Sequence, residues 1–430
     1  MRETHARICR VLFAILITSC VFFLALETGY GAGLPVFPGA QGFGVDTPAG
    51  RAGVILRVTN LNDHGEGSLR NAIAHRGRRI IVFEVAGVIL LSSDLVVAHP
   101  FITIAGQTAP EPGITLRGAG MRILTHDVLV RHIRIRVGDA PGGPSPSNRD
   151  ALQILGKNAH HVVIDHVSAS WAIDENVSLW AGAHDITLSY CLISFALNHS
   201  LHPKGPHSTG LLVGDGSRRI ALVRNVLAHN ASRNPRIKGG SSVVVVNNLI
   251  CNGRGFMSVG SSSGVSRVTA LGNVFIAGVD TDDDNDPVRV EDNATRGSGV
   301  YLRDNWYQGR IYAPHGRRWL GAAPVWAPDV IVWPHFRVAE LLSRNAGARP
   351  VGRDVVDRAA LTPLCGKNSH IIDDPEEIGI LPMVPESRRP FVAPDRPHHD
   401  DDGDGYSRLE ELLHGMACQV ENIHCAGDGP

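Results

Sequence analysis

The sequence lacks an excess of charge of either sign and lacks long helical stretches. Its 430 residues carry 41 lysines and arginines against 42 aspartates and glutamates. A balanced chain has no general attraction to nucleic acid or to an anionic membrane, so we expect neither as a partner. Stretches with the period of an amphipathic helix are scarce, whereas glycine is frequent, with 47 residues. The composition therefore favours an all-β protein of short strands and tight turns.

The first 33 residues have the pattern of an export signal. Three arginines within the first ten residues precede an apolar run over residues 11–26, and residues 31–33 are small enough for cleavage. The run is short for an uncleaved anchor, and the residues after Cys20 are too apolar for a lipoprotein processing site. We predict a cleaved signal peptide and a secreted, monomeric protein with no membrane span.

Cysteine is sparse, with 7 residues, of which two fall in the predicted signal. Cys365, Cys418 and Cys425 lie near the C-terminus and are able to supply one disulfide after export, although the sequence does not define the pairing. Cys191 and Cys251 lie in apolar strand-like runs, and we expect them to be buried thiols.

Short apolar runs repeat from residue 80 to about residue 307. An asparagine precedes an apolar pair at Asn225, Asn248, Asn273 and Asn305. Counting back at the same period places earlier equivalents at Tyr190 and near Asp165. A period of about 23 to 25 residues with occasional surplus indicates a solenoid with loops inserted on one side. A βαβ protein would need a long helix between strands, and the sequence shows none.

We therefore predict a right-handed, single-stranded parallel β-helix over residues 34–315 with an internal asparagine ladder. Ser68 is placed to cap a short helix that closes the first open end of the solenoid. Residues 316–397 form an irregular C-terminal segment that wraps back over it, and residues 398–430 hold a calcium loop and tail. Three arginines flank isoleucines in one strand-like run and are predicted to point outward: Arg131, Arg134 and Arg136. They are either exposed surface residues or residues near the cleft that bind uronate.

Two insertions, residues 138–149 and 195–209, are expected to build a binding cleft on one face. Asp150 follows the first insertion, and Asp174 and Glu175 stand one period later, so their carboxylates are expected roughly 4.8 Å apart. Carboxylates stacked that closely repel each other unless a proton or a metal lies between them. Hard oxygen ligands of this kind favour Ca²⁺, while exposed acidic turns are the simpler interpretation.

A basic segment follows at residues 230–240, where Arg233, Arg236 and Lys238 crowd around Pro235. The same counting places Arg233 on the face of Asp174, two rungs away. Acid on lower rungs and a basic cluster above them make a site for an anionic polymer. A solvated basic turn is the alternative for such a cluster alone.

The chain resembles the pectate lyases of polysaccharide lyase family one, most closely their secreted bacterial branch. The segments that carry the resemblance are residues 37–44 (Phe-Pro-Gly-Ala-Gln-Gly-Phe-Gly), 58–63, 67–70, 102–110, 163–168, 170–176 and 232–236 (Ser-Arg-Asn-Pro-Arg). The resemblance implies a parallel β-helix that uses Ca²⁺ and cleaves polygalacturonate, within the chain, by β-elimination.

Carried onto this sequence, the resemblance implies that Arg233 is the catalytic base. It also implies that Lys238 binds a substrate carboxylate with support from Arg236, and that the inserted loop offers Lys204 or His207 to substrate. Asp150 and Asp174 match calcium ligands of the family. A further acidic ligand of the family falls on Ser178, so calcium binding depends on compensation by Glu175 or substrate.

An arginine base requires that its charged form be disfavoured, because guanidinium is ordinarily protonated far above neutral pH. The neighbouring cations and bound Ca²⁺ would have that effect. The resemblance therefore predicts an alkaline pH optimum.

The segment from residue 400 has the spacing of an EF-hand calcium loop, with Gly405 at its sixth position. The predicted ligands of this structural Ca²⁺ are Asp400, Asp402, Asp404, Tyr406 and Glu411. A solvated acidic tail is the alternative.

Two other functions remain open at this stage. A polygalacturonase-like hydrolase uses the same solenoid, but hydrolysis needs two carboxylates flanking the bond, and that family's paired-aspartate and Gly-His-Gly motifs are absent. A non-catalytic, polysaccharide-binding β-helix is the second alternative, because Ser178 leaves the calcium site short of one charge.

Overall fold

Short parallel strands wind into a right-handed parallel β-helix, as predicted. The computed structural model describes residues 33–314, 316, 318–361, 369–379 and 386–421. Within these residues the strands form three sheets that run along the solenoid. Residues 35–430 belong to one compact unit. The predicted signal peptide, except Gly33, lies outside the described residues.

Each turn of the solenoid contributes strands to the three sheets. The first sheet contains β1 (Val54–Val58), β2 (Arg79–Phe83), β5 (Ile102–Ala105), β8 (Val128–Arg131), β11 (His160–Asp165), β14 (His184–Ser189), β17 (Arg218–Val223), β20 (Ser242–Val246), β23 (Arg267–Leu271) and β26 (Gly299–Arg303). The second sheet contains β4 (Leu95–Val97), β7 (Met121–Ile123), β10 (Leu152–Leu155), β13 (Glu175–Trp180), β16 (Thr209–Val213), β19 (Arg236–Ile237), β22 (Met257–Val259) and β25 (Val288–Val290). The third sheet contains β3 (Val85–Leu90), β6 (Ile114–Arg117), β9 (Ile133–Arg136), β12 (Ser168–Ser170), β15 (Leu192–Ser194), β18 (Val226–Ala228), β21 (Leu249–Cys251), β24 (Val274–Ile276), β27 (Trp306–Tyr307), β28 (Arg310–Ile311) and β29 (Ser387–Arg388).

The asparagine ladder forms at the bend between the first and third sheets. Asn225 donates its backbone N–H to Oδ1 of Asn248 at 2.8 Å, and Asn248 donates likewise to Asn273 at 2.9 Å and Asn273 to Asn305 at 3.1 Å. Each rung thus satisfies a backbone donor that the bend removes from the sheet. The predicted earlier equivalents are wrong, because Val226 pairs with Leu192 and not with Cys191.

The register therefore places Cys191, not Tyr190, beside Asn225, and Val167, not Asp165, one rung further back. Cys191 continues the pattern through its backbone, whose N–H donates to Oδ1 of Asn225 at 2.9 Å. Tyr190 and Asp165 instead belong to the positions just before the ladder.

The open N-terminal end is covered by the predicted short helix, α1 (Leu69–Ala74). The backbone N–H of Asn71 donates to Oγ of Ser68 at 3.2 Å, which caps the helix. Leu69, Ala72 and Ile73 are buried against the first turns of the solenoid. Burial of an aliphatic side chain of this size contributes about 1.5–3 kcal/mol.

The C-terminal segment packs along the outside of the solenoid, and three helices lie in the chain after the last turn. They are α2 (His335–Asn345), α3 (Val355–Leu361) and α4 (Arg408–Glu421). β29 also belongs to this segment, and it pairs antiparallel with β3 in the first turns of the solenoid. None of the described helices has the length and apolarity needed to cross a membrane.

This wrapping corrects the prediction for the three arginines of β8 and β9. Arg131, Arg134 and Arg136 are all buried. Arg136 donates to Asp354 at 2.9 Å and to Asp357 at 2.8 Å, and both acceptors come from the C-terminal segment. The arginines therefore tie this segment to the solenoid and do not bind ligand.

The cysteines agree with the predictions only in part. Cys191 is a buried free thiol. Cys251 is also buried, but it is disulfide-bonded, so its prediction as a thiol is wrong. Cys418 is disulfide-bonded as well. Cys365 and Cys425, which the sequence offered as partners, lie outside the described residues.

Candidate active site

Three carboxylates meet where β10 and β13 begin. Leu152 of β10 pairs with Val177 of β13, so Asp150 lies beside Glu175 on the neighbouring rung. One carboxylate oxygen from each of Asp150, Asp174 and Glu175 lies within 4.8 Å of the others. The register thus sets Glu175 opposite Asp150, and Asp174 precedes Glu175 in the chain.

Burial raises the free-energy cost of ionising the carboxylates of this cluster. Burial, together with the charge of Asp174, raises the pKa of Asp150 above its ordinary value. Ser178 donates its hydroxyl to Oδ2 of Asp150 at 2.5 Å, and the backbone N–H of Glu175 donates to Oδ1 at 3.3 Å. Ser178 thus lies at the cluster, where it contributes an oxygen but no charge. A buried set of hard oxygen donors with surplus negative charge fits a calcium ion.

Arg233 faces these carboxylates from two rungs above. Ser232 lies beside Thr209, and Thr209 lies beside Glu175. Two rungs span about 10 Å between backbones. The side chain of Arg233 nevertheless forms an ion pair with Glu175 and is only 20% exposed. It lies across a rung that begins Thr209-Gly210, whose side chains are small.

Burial lowers the pKa of Arg233, and the nearby charge of Arg236 lowers it further, while the charges of Asp174 and Asp150 act in the opposite direction. The backbone around Arg233 is also fixed. Its φ of 59° is in the left-handed region that few L-residues adopt. The guanidinium thus occupies a defined position in surroundings that disfavour its charged form.

Buried amides hold the chain on each side of Arg233. Asn230 donates Nδ2 to Oδ1 of Asn234 at 3.2 Å, and Asn234 donates Nδ2 to the carbonyl of Asn230 at 2.9 Å and to that of Gly255 at 3.0 Å. Such bonds satisfy backbone groups that the irregular segment leaves unpaired.

The other two cations of the basic segment have acidic partners that the sequence did not indicate. Arg236 donates Nη2 to Glu291 at 2.8 Å, and Nζ of Lys238 lies 3.1 Å from Asp215. Nζ of Lys238 also lies 4.4 Å from the centre of the Trp180 ring. Both cations line the same cleft as Arg233.

Trp180 is a cleft residue that the sequence analysis missed. It stands two residues after Ser178 in β13, so strand alternation alone places both on the outer face. Its ring lies against Gly214, where an added Cβ would approach the ring to 1.9 Å. The glycine on the next rung therefore makes room for the tryptophan to lie along the cleft floor.

The second inserted loop places its two candidate residues differently. Lys204 lines the cleft with Asp150 and Arg233. His207, predicted to contact substrate, has Nε2 at 3.0 Å from Oδ1 of Asp174. The loop thus contributes one cation to the cleft and one imidazole to the acidic cluster.

The cleft that these residues form has a volume of about 540 Å³. A second cleft of about 650 Å³ lies beyond it and shares Arg233 and Arg236 as lining residues. Arg233 therefore stands at the boundary between two connected grooves along the second sheet, an arrangement that suits an elongated ligand.

The predicted EF-hand loop lies directly before α4. Oxygens of Asp400, Asp402 and Asp404 lie within 4.8 Å of one another. Slight burial and the charges of Asp402 and Asp404 raise the pKa of Glu411, which is exposed. Tyr406 is buried beside this loop.

The helix after the loop is anchored by apolar contacts. Leu409 and Leu413 of α4 are buried against Ile80 and Val82 of the first sheet. The loop thus joins the wrapped C-terminal segment to a helix that is anchored on the solenoid.

No protein-family model matches the chain, whereas curated relatives and solved structures do. A protein of Aspergillus oryzae named "Probable pectate lyase C" is 35% identical over 397 residues, which cover 87% of this chain and 86% of that protein. Its Aspergillus terreus namesake is 41% identical over 251 residues, covering 58% and 56%. These relatives are fungal, so the predicted bacterial branch finds no support.

Solved pectate lyases share the fold. A pectate lyase bound to a hexasaccharide matches with a TM-score of 0.54 at 15% identity, covering 74% of this chain and 99% of the other. The thermostable pectate lyase PL 47 matches with a TM-score of 0.53 at 16% identity, covering 74% and 98%. By its similarity to the Aspergillus oryzae protein over nearly its whole length, the chain belongs to the pectate lyase family of polysaccharide lyases.

Proposed function

We propose that this protein is a secreted, calcium-dependent pectate lyase that cleaves de-esterified polygalacturonate within the chain by β-elimination, with Arg233 as the base. The observation that carries the proposal is the placement of a half-buried Arg233 against the cluster of Asp150, Asp174 and Glu175 in one elongated cleft. A polymeric uronate presents repeated carboxylates. This cleft is suited to them because it holds both an acidic cluster that can bind a cation and several cationic side chains.

The chain's own residues account for the removal of the proton. Arg233 takes the proton from C5 of a uronate, the electron pair of that C–H bond forms the C4–C5 double bond, and the C4–O bond breaks. The glycosidic oxygen leaves with that bond's electron pair and takes up a proton from solvent. Burial and Arg236 lower the pKa of Arg233, which increases the small fraction of neutral guanidine able to act as the base. Arg236, Lys238 and Lys204 line the cleft and are placed to bind uronate carboxylates.

Asp150, Asp174 and Glu175 are the residues that would hold calcium. Bound there, the ion would neutralise the uronate carboxylate and stabilise the enolate-like charge left by proton loss. Ser178 reduces the charge of the site, and Glu175, which also pairs with Arg233, supplies the third carboxylate.

The proposal predicts a specific product and a specific pH response. Purified protein and polygalacturonate should yield an unsaturated uronide, seen as rising ultraviolet absorbance, and a chelator should abolish the reaction until calcium is restored.

The rate should rise with pH above neutrality, because a base of lowered but still high pKa is neutral in a growing fraction of molecules as pH rises. Reducing ends that appear without this absorbance would indicate hydrolysis and contradict the proposal.

We also propose that the loop of Asp400, Asp402, Asp404, Tyr406 and Glu411 binds a structural Ca²⁺, with Tyr406 contributing its carbonyl. The support is the EF-hand spacing and the proximity of the Asp400, Asp402 and Asp404 carboxylates ahead of the anchored helix α4. Secretion remains part of the proposal because a polymeric substrate of this kind is met outside the cell.

Calcium at one hundred times its dissociation constant should stabilise the protein by about 2.7 kcal/mol through this loop. The measurement is the melting temperature with calcium and with chelator, in wild type and in the Asp400→Asn, Glu411→Gln double variant. Asp401→Asn is the matched control, since Asp401 lies in the same loop outside the ligand positions. The double variant should lose this part of the calcium response, while the response of the cleft site remains. A calcium response as large in the double variant as in wild type would refute this site.

A further inference from the structure

Two histidines of the second inserted loop converge on one oxygen of the acidic cluster. The rings of His202 and His207 stack with their centres 3.8 Å apart and their planes within 6° of parallel. Nε2 of His207 lies 3.0 Å from Oδ1 of Asp174, and Nε2 of His202 lies 3.8 Å from the same oxygen. Two stacked imidazoles therefore face the side of Asp174 that is turned towards their loop.

The hydrogen bonds of the loop define which ring nitrogens carry protons. The backbone N–H of Lys204 donates to Nδ1 of His202 at 3.2 Å, so Nδ1 holds a lone pair and Nε2 holds the proton. That Nε2 is buried and has no hydrogen-bond partner of its own in the described part of the chain. The His202 side chain is 1% exposed, so its proton has Asp174 as the nearest anionic oxygen. His207 must likewise donate from Nε2, because an ionised carboxylate only accepts.

The same protonation argues against a transition-metal site. Two imidazoles and a carboxylate form a familiar ligand set for zinc. His202, however, can ligate through Nε2 only by giving up the bond that its Nδ1 accepts from Lys204. The Nε2–H groups of His202 and His207 therefore face the Asp174 carboxylate as hydrogen-bond donors, and this arrangement disfavours a metal ion between them.

The loop is closed around this pair. The backbone N–H of Gly205 donates to the carbonyl of His202 at 3.0 Å, and that of His207 donates to the carbonyl of Asn198 at 2.9 Å. Lys204 lies between the two histidines and lines the cleft. Fixing the imidazoles on Asp174 therefore also fixes the position of Lys204.

We propose that His202 and His207 are positioning residues for Asp174. His207 binds Oδ1 of Asp174, His202 stacks on His207 with its Nε2 facing the same oxygen, and the pair so directs the other oxygen of Asp174 to the calcium in the cleft. The same pair links that carboxylate to Lys204. The affinity for calcium and the affinity for substrate therefore both depend on the loop that holds these three residues. The inference rests on the proposed function. It also explains how a site that has Ser178 in place of a carboxylate keeps Asp174 oriented.

The test is calcium binding by titration calorimetry without substrate, in a background carrying Asp400→Asn and Glu411→Gln so that the C-terminal loop is silent. His207→Phe and His202→Phe keep a ring for stacking but remove the donor, and each should weaken calcium binding about tenfold. His207→Gln, whose amide can replace the Nε2 donor, should lie within about threefold of the background protein. Melting temperatures identify any variant that fails to fold.

His199→Phe is the matched control, because His199 lies in the same loop but is exposed and pairs with Asp373. It should leave calcium affinity unchanged. With saturating calcium, His207→Phe should raise KM for polygalacturonate more than it lowers kcat, and adding Lys204→Met should raise KM little further, since both changes disturb one contact.

The outcomes separate this inference from the proposed function. If the background protein binds no calcium and calcium does not raise its activity on polygalacturonate, the calcium dependence of the proposed function fails. If it binds calcium and both phenylalanine variants, folded, bind it equally well, the positioning role is refuted. Cobalt(II) absorption bands that appear in the background protein and vanish in His207→Phe would replace this inference with a metal site on the imidazoles.

Discussion

Replacing Arg233 with lysine is expected to lower kcat on polygalacturonate by about three orders of magnitude while the protein stays folded. General-base catalysis contributes roughly 10²–10⁴ to a rate. Lysine is shorter and presents a single point of charge where arginine presents a planar fork. Its amine therefore reaches less far from the backbone and presents one nitrogen where the guanidinium presents several.

The measurement is steady-state kinetics with saturating calcium, followed through the unsaturated product. KM should change less than kcat, because Lys204, Arg236 and Lys238 still line the cleft. Arg254→Lys is the matched control, since Arg254 is exposed and lines the neighbouring groove. Activity of Arg233→Lys near that of wild type, with an unchanged melting temperature, would remove Arg233 from the role of base.

Replacing Glu421 with glutamine is expected to destabilise the protein by about 3 kcal/mol, because it removes one partner of a buried ion pair. Glu421 ends α4 and accepts from Nη2 of Arg131 at 2.9 Å. Nε2 of His132 lies 3.0 Å from the same carboxylate oxygen, and Nδ1 of His166 lies 3.5 Å from it. Asp165 binds the other face of Arg131 at 2.8 Å. The last residue of α4 thus completes a buried charge cluster on the solenoid.

The pH dependence of this loss has a definite sign. Burial opposes ionisation of Glu421, but His166, His132 and Arg131 outweigh it and lower the pKa of Glu421 to about 2, from an ordinary value of 4.5. A depressed carboxyl pKa contributes stability above the unfolded value, and that stability is lost as pH falls through the folded one. The difference between wild type and Glu421→Gln should therefore be full above about pH 4.5 and shrink towards pH 2.

Thermal unfolding across this pH range checks the prediction. Glu340→Gln is the matched control, because the Glu340–Arg344 pair on α2 is exposed at 62% and 71%. Exposed pairs of this spacing contribute about 0.3–0.5 kcal/mol, so this variant should remain close to wild type. Equal stability of the two variants at neutral pH would show that Glu421 does not anchor α4.

The solenoid was predictable because its stabilising contacts repeat along the sequence. Asn225, Asn248, Asn273 and Asn305 occupy one position in successive turns, and each bonds to the next. The same periodicity, counted along the sequence alone, predicts that Asp150, Asp174 and Arg233 share one face. Counting back beyond Asn225 was less accurate, because Cys191 fills its position through the backbone and leaves no side-chain signal.

The remaining features depend on contacts between distant parts of the chain, for which the local pattern holds no information. Arg136 alternates with apolar residues like an exposed strand arginine, yet Asp354 and Asp357, over two hundred residues later, cover and neutralise it. His207 was expected to contact substrate, but loop closure places it against Asp174. Trp180 is an exception, because the local pattern does hold its signal: it stands two residues after Ser178 in one strand, and the two therefore share a face.

The most direct test of the central claim is the mass of the products formed in water labelled with heavy oxygen. Elimination breaks the glycosidic bond without adding water, so we predict that the products contain one unsaturated end for each cut and no label beyond the exchange seen at reducing ends without enzyme. Hydrolysis would place one labelled oxygen in the products for each cut. Unlabelled, unsaturated products would support β-elimination in this cleft, and labelled, saturated products would contradict it.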